Sequence, residues 1–227
     1  MTNDHTQAFT DPETVARYVD GPPRAVPGYY AMQSMTTLLL AERVPETGRV
    51  LVLGAGGGLE LKTFAQAHPV WQLDGVDPSA EMLDLARHTL GPLSARTHLQ
   101  QGYIDDAPEG PFDGATCLLT LHFLALDERR RTLAEIRRRL KPAAPFVMAH
   151  LSVPPDGHRA LWLSRYSAFL VASGIDPEHA AKARQAINDK VHILTCEQDE
   201  ALLQEVGFSD VSLFYTGFTF RGWVASA

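Results

Sequence analysis

Residues 49–60, RVLVLGAGGGLE, decide the fold of this chain. Residues 50–53 form a continuous apolar run, rich in β-formers and closed by glycine, the pattern of a strand buried on both faces. Gly54, Gly56 and Gly58 follow at once, and residues 59–67 then have helical spacing. Glycine lets the backbone turn sharply and removes the Cβ atoms that would block a ligand. The N–H groups at the start of the helix then face an anionic group. Three alternating glycines say little alone. Set between a strand and a helix, with Ala55 in the turn, they read as a nucleotide-cofactor loop.

The next strand tests that reading. It spans residues 71–76 and ends in Asp77-Pro78, where a carboxylate can accept from both ribose hydroxyls. An Asp-Pro turn is the plainer alternative. Ser79 then caps a helix whose apolar stripe is Met82, Leu83, Leu85 and Ala86. A third strand, 96–101, runs into Gly102-Tyr103-Ile104-Asp105-Asp106. There Asp105 can accept from an adenine amino group while Ile104 packs on the ring; an ordinary acidic loop competes with this. A dinucleotide fingerprint would need glycine where this chain has Leu59, so a dehydrogenase is disfavoured.

Strand and helix keep alternating: a strand at 112–121, a helix at 128–140 and a strand at 145–151. That order implies a parallel sheet with helices on both faces. Residues 154–191 then contain two helical stretches, 158–172 and 177–187, and no strand, which reads as a lid insertion. A helix at 197–206 precedes two β-rich runs, 211–215 and 218–225, around Thr216-Gly217, a hairpin signal. Upstream, a helix is expected at 12–19, a rigid Pro/Gly loop at 21–30 and an apolar helix at 31–43, all within an N-terminal segment 1–47 of a single domain, 1–227.

Charge and composition narrow the function. The net charge of −7 argues against a long basic footprint for nucleic acid. Residues 128–141, ERRRTLAEIRRRLK, are the local exception. They read as an amphipathic helix with Leu133, Ile136 and Leu140 inward and a solvated basic face; an RNA-contact patch is the competing reading. No apolar run reaches the roughly 20 residues of a membrane span. The N-terminus lacks the basic flank and apolar stretch of a signal peptide. Cys117 and Cys196 are too few and too far apart for a disulfide scaffold, and the cytoplasm is the expected compartment. No metal site is expected.

Most of the chain, about 24–225, resembles the class I S-adenosylmethionine-dependent methyltransferases. LVLGAGGG (51–58) is similar to the family's cofactor loop, GVDPSAEML (75–83) to its ribose segment, QGYIDD (101–106) to its adenine segment and IRRRLKPAAPFVMAHLS (136–152) to its entry into the fifth strand. The resemblance implies an α/β, doubly wound, Rossmann-like sheet in the order 3-2-1-4-5-7-6, mostly parallel with a C-terminal antiparallel hairpin and the helical lid inserted. It implies S-adenosylmethionine as cofactor, S-adenosylhomocysteine as product, and Gly54, Ala55, Gly56, Gly58, Asp77, Pro78, Ile104, Asp105 and Thr120 around them. One position departs: the family often carries Asp or Glu two residues before the first glycine, where it organises the methionine end, and here that residue is Val52.

A narrower likeness lies in RAVPGYYAMQSM (24–35), LHFLALDERRRTL (121–133) and the ending LLQEVGFSDVSLFYTGFTFRGWVA (202–225). These resemble the branch containing carboxy-S-adenosylmethionine synthase, and equally methyltransferases of unknown acceptor. The likeness implies that Tyr29, after Val-Pro-Gly, reaches the cofactor. It also implies an arginine for an extra carboxylate, at Arg184 if no gap intervenes; an exposed helix charge is the alternative there.

Methyl transfer is an in-line displacement at a sulfonium carbon, so an acceptor must chiefly be held in place. The expected reaction is transfer to a small-molecule acceptor, with modification of the cofactor itself or non-catalytic cofactor binding as alternatives. Acceptor-side candidates lie at the C-terminal ends of the strands. His122 is the first choice for a base or orienting group, because its pKa lies near neutrality; a structural histidine is the alternative. His150, Tyr166 and Arg184 are candidates for the substrate side and the lid. Trp162, Arg165, Tyr166 and Phe169 have a spacing that suits lid packing or a homodimer contact.

Overall fold

A computed structural model describes Val15, residues 18–154 and residues 158–227. The helix expected at 12–19 lies largely outside the described residues. Among those described, α1 spans Gly21–Ala25 and α2 Tyr29–Ala41. The alternating section comprises β1 Arg49–Leu53, α3 Leu59–Ala67, β2 Gln72–Asp77, α4 Ala80–Leu90, β3 Thr97–Gln101, β4 Gly114–Leu118, α5 Leu126–Arg138 and β5 Pro145–Val153. Then come α6 Arg159–Ala172, α7 Pro177–Lys190, β6 Leu194–Thr195, α8 Cys196–Glu205, β7 Ser209–Gly217 and β8 Phe220–Ser226.

The sheet runs β3-β2-β1-β4-β5-β8-β7, with β6 paired to β5 beside that path. β1 to β5 pair in parallel, and β8 joins β5 and β7 antiparallel. Leaving aside the two-residue β6, this is the expected order. The apolar run of β1 is apolar because both of its faces are covered. Val50 and Val52 pack with Leu61, Phe64 and Leu83 of α3 and α4. Leu51 and Leu53 point the other way, to Leu133 and Ile136 of α5 and Leu202 and Leu203 of α8. All nine residues of β5 are buried, as befits a strand in the middle of the sheet.

Several boundaries differ from expectation for identifiable reasons. The Pro/Gly stretch after Tyr18 is partly helical, because prolines in the first turn of α1 use positions where a helix needs no N–H. β5 runs past His150 to Val153 because β6 pairs with Ser152 and Val153. The hairpin turns at Phe218-Thr219, not at Thr216-Gly217: Gly217 pairs with Phe220, and Phe218 adopts a φ of +50°. In α5, Leu133 and Ile136 face inward as expected, but so does Arg129, and Arg139 just after the helix is buried too. The segment between β5 and β6 forms two helices, of which α6 packs on the hairpin, with Tyr166 edge-on to Phe220 and Phe169 against Phe218. Among the described residues no helix is long and apolar enough to cross a membrane.

Candidate functional site

A cleft opens at the C-terminal ends of β1, β2 and β4, where the turns leaving the parallel strands diverge. Its floor is the glycine loop, with Leu53, Gly54, Ala55, Gly56 and Gly57 lining it. The loop turns through left-handed backbone at Gly54 (φ +77°), Gly56 (+48°) and Gly58 (+80°). At Gly54 a side chain is also excluded by space, since a Cβ there would lie 2.0 Å from Thr120 Oγ1. At Gly56 a Cβ would meet the Tyr18 hydroxyl at 2.9 Å. Gly58 departs from its expected role, because it does not line the cleft. A Cβ there would strike the backbone of Ala86 at 2.9 Å, so this glycine lets α3 and α4 approach closely. Gly57 lines the cleft instead.

Asp77 ends β2 at the cleft wall beside Pro78 and Ser79. Its Oδ2 accepts the Gly56 N–H at 2.9 Å, and its Oδ1 accepts the Ser79 N–H at 3.0 Å. Each carboxylate oxygen has a second acceptor position, so the group can take further donors from the cleft. Burial pushes Asp77 above the usual carboxylate range, against the pull of those two backbone donors. Ser79 also caps α4 as expected, its Oγ accepting the Met82 N–H at 3.1 Å.

At the far wall a short turn, Ile104–Asp106, divides the two candidates of the third segment. Ile104 is buried and lines the cleft. Asp105 points outward, half exposed, and both its oxygens accept from Arg131 Nη1 at 2.7 and 2.6 Å. Asp105 is therefore not among the lining residues, whereas Tyr103 and Arg131 are.

The remaining wall comes from β4 and the N-terminal segment. Leu118, Leu119 and Thr120 follow β4 into the cleft. Leu119 holds a φ of +58°, uncommon for a residue with a Cβ. Tyr29, buried on α2, lines the cleft together with Tyr18, Gln33 and Glu60. A chain of hydrogen bonds fixes this group. Thr63 donates to Gln33 Oε1 at 2.7 Å, and Gln33 Nε2 donates to the Tyr29 hydroxyl at 2.6 Å. Glu60, in the first turn of α3, accepts from the Thr116 hydroxyl. Burial pushes its carboxyl up to about 8. Burial likewise drives the Tyr18 and Tyr29 hydroxyls well above their ordinary range, so both stay protonated.

Four expected site residues lie elsewhere. His122 is buried on the turn after β4 and does not line the cleft; its Nδ1 accepts the Leu151 N–H at 3.4 Å. His150 is fully buried within β5, its Nε2 3.0 Å from Asp199 Oδ1. That carboxylate also accepts from Arg129 Nη1 at 3.0 Å, giving a buried charged cluster beneath α8. Tyr166 is buried against the hairpin, and Arg184 sits on α7; neither lines the cleft. The sequence reading passed over Glu60, Tyr18 and Gln33. An acidic residue in a first helical turn is ordinary, and only the packing of the N-terminal segment, α2 and α3 brings these three to one cleft. The basic run of α5 is bound up internally: Arg130 with Glu205, Arg131 with Asp105, Arg138 with Glu109, and Arg137 with the Gly207 carbonyl.

Residues 50–143, the core of this cleft, match the family model described as a methyltransferase domain. Together with the sheet order, that match places a methyltransferase domain with a Rossmann-like sheet on this part of the chain. The chain is 29% identical over 220 residues to a carboxy-S-adenosyl-L-methionine synthase of Chromohalobacter salexigens, covering 95% of this chain and 82% of the relative. Its fold is also that of an O-methyltransferase family protein from Burkholderia thailandensis, at a TM-score of 0.70 with 14% identity, over 100% of this chain and 63% of that one. Human N-acetylserotonin methyltransferase, solved in complex with S-adenosylmethionine, matches at a TM-score of 0.64 and 16% identity, over 98% of this chain and 58% of the human chain. The chain thus spans less than two thirds of these two solved proteins.

Proposed function

We propose that this methyltransferase moves the methyl group of S-adenosylmethionine to a small-molecule acceptor in the cleft. The residues present fit that cofactor. Space is kept clear over Gly54 and Gly56, and the buried Asp77 carboxylate has acceptor positions for ribose hydroxyls. Ile104 and Met82 offer apolar surface for a flat base. When bound, the cofactor supplies an activated methyl on a sulfonium. The protein's part is to orient the acceptor behind it, which can supply on the order of 7–11 kcal/mol. Leu118, Leu119 and Phe123 form an apolar wall suited to a small acceptor.

One observation favours an unmodified cofactor. Among the described lining residues Arg131 is the single cation, and it is held by Asp105 and Glu128. A cofactor bearing an additional carboxylate calls for a charge-assisted partner, and Arg184 lies outside the cleft. The second reading, carboxylation of the cofactor, is supported by the synthase named above. Mass spectrometry of ligand carried through purification separates the two. Ordinary S-adenosyl species support methyl transfer, and a carboxylated species supports the second reading. Independently, S-adenosylhomocysteine at 100-fold above its Kd should stabilise the protein by roughly 2.7 kcal/mol while NAD does not. The absence of any shift would remove the basis for both. Two free cysteines, Cys117 and Cys196, support a cytoplasmic setting for the reaction.

A further inference from the structure

Val52 leaves the methionine end of the site without the carboxylate that β1 often carries, yet a carboxylate stands beside that position. Val52 pairs in register with Thr116 of β4, and the two side chains point to the same face of the sheet. Thr116 donates its hydroxyl to Glu60, which reaches it from α3 on that face. Glu60 lines the cleft with Tyr18, Tyr29 and Gln33. We propose that the Glu60 carboxylate receives the α-ammonium group of the bound cofactor, doing from α3 what an acid at position 52 would do from β1. This rests on the proposed cofactor reading.

The energetics of the buried carboxyl group support the assignment. A carboxylate taken out of water is costly unless a cation joins it. The influences on Glu60 are burial, which raises its pKa, and the Thr116 hydrogen bond, which lowers it; among the described residues no cation contributes. The titratable groups around it are Tyr18 from the N-terminal segment, Tyr29 from α2 and Cys117 from β4, all kept neutral by burial. Asp77 acts on Tyr18. If Thr116 needed only an acceptor, a glutamine would serve without the cost of a charge. A ligand ammonium turns that cost into an ion pair. The neighbouring Gln33 and Tyr29 are locked by the bonds from Thr63 and Gln33, so they form a neutral, preorganised rim around the Glu60 carboxyl group.

The proton inventory follows. Glu60 holds a proton near neutrality in the empty protein, and pairing with an ammonium expels it. Binding of S-adenosylhomocysteine should therefore release up to one proton between about pH 6 and 8, with affinity rising as the pH rises through that window. Calorimetry of the full-length protein in two buffers of different ionisation enthalpy measures that proton directly. Glu60→Gln should abolish the release and weaken S-adenosylhomocysteine roughly 10- to 100-fold, the worth of a hydrogen bond to a charged group. Methylthioadenosine, which lacks the amino-acid end, should bind both proteins equally. S-adenosylhomocysteine is the informative probe because its sulfur is neutral.

Equal weakening of both ligands would mean that Glu60 only shapes the cleft, and overturns the assignment. Weakening of S-adenosylmethionine alone would place the carboxylate at the sulfonium, which also overturns it. Unchanged affinity with no proton release does the same while leaving the cofactor reading intact. Failure of the wild-type protein to bind either nucleoside removes that reading as well. Should Glu60→Gln not fold, proton release by the wild-type protein decides alone.

Discussion

Asp77 Oδ2 accepts the backbone N–H of Gly56 at 2.9 Å, so the carboxylate at the end of β2 is also the clasp of the glycine loop leaving β1. The two halves of the cleft are therefore one unit, and the ribose-side acid cannot be removed without loosening the loop. Asp77→Ala should abolish the thermal shift produced by S-adenosylhomocysteine. It should also lower the stability of the unliganded protein by about 1–3 kcal/mol, because two N–H groups lose a buried acceptor. Asp77→Asn keeps one acceptor and should recover part of the stability but not the affinity. Thermal denaturation with and without ligand reads both effects.

Gly54 faces Thr120 across a gap too small for a methyl group. Gly54→Ala should cost about 1–3 kcal/mol through overpacking and eliminate cofactor binding. Gly54→Ala combined with Thr120→Ala relieves the clash with Oγ1 but not the φ of +77°. The double variant should therefore regain stability only in part, as chemical denaturation can measure.

The Arg129–Asp199–His150 cluster has both side chains of its ion pair about 1% exposed. Arg129→Ala should destabilise by about 3–5 kcal/mol, since it strands a buried carboxylate. Arg129→Met with Asp199→Leu should cost markedly less than either change alone, because no charge remains unpaired. A double-mutant cycle by urea denaturation tests this.

Glu60 also carries a pH signature in the absence of ligand. Its carboxyl is raised from an ordinary 4.5 to about 8, so between those values the folded chain holds a proton that the unfolded chain releases. The stability this provides is fully present below the unfolded value and is lost as the pH rises through the folded one. The melting temperature of the unliganded protein should fall between about pH 5 and 8, and Glu60→Gln should flatten that slope. Asp77 is raised as well and works in the same direction, which leaves a smaller residual slope in the variant.

Arg184 offers a contrast. It sits on α7 outside the cleft. Arg184→Ala should change neither the affinity for S-adenosylhomocysteine nor the stability by more than about 0.5 kcal/mol.

What could be read from the residues alone was whatever depends on neighbours in the chain. The apolar run 50–53, the glycines after it and Asp77 at the end of the next strand lie within local units whose geometry follows from backbone sterics and burial. The parallel direction of β1 to β5 follows from the alternation with helices, because parallel neighbours need a crossover connection, whereas their order came with the family resemblance. The ending was legible as a hairpin, though its turn was not. Thr216-Gly217 is the stronger turn signal, but pairing of β8 with β5 fixed the register and moved the turn to Phe218-Thr219.

Side-chain direction across elements was not legible. His122 and His150 stood at strand ends with suitable chemistry, yet one faces the Leu151 backbone and the other a buried aspartate on α8. Arg129 looks like its neighbours in a basic run, and only the position of α8 turns it into a core residue. The sequence by itself determined the strand–loop–helix unit, the acid that follows it and hence the class of cofactor. The tertiary structure alone decided that Val52 and Glu60 are to be read together. They are far from equivalent in the chain, but Thr116 of β4 pairs in register with one while bonding the side chain of the other. Burial then does what no local pattern encodes: it raises an ordinary first-turn glutamate far above the usual carboxylate range, so that it holds a proton near neutrality.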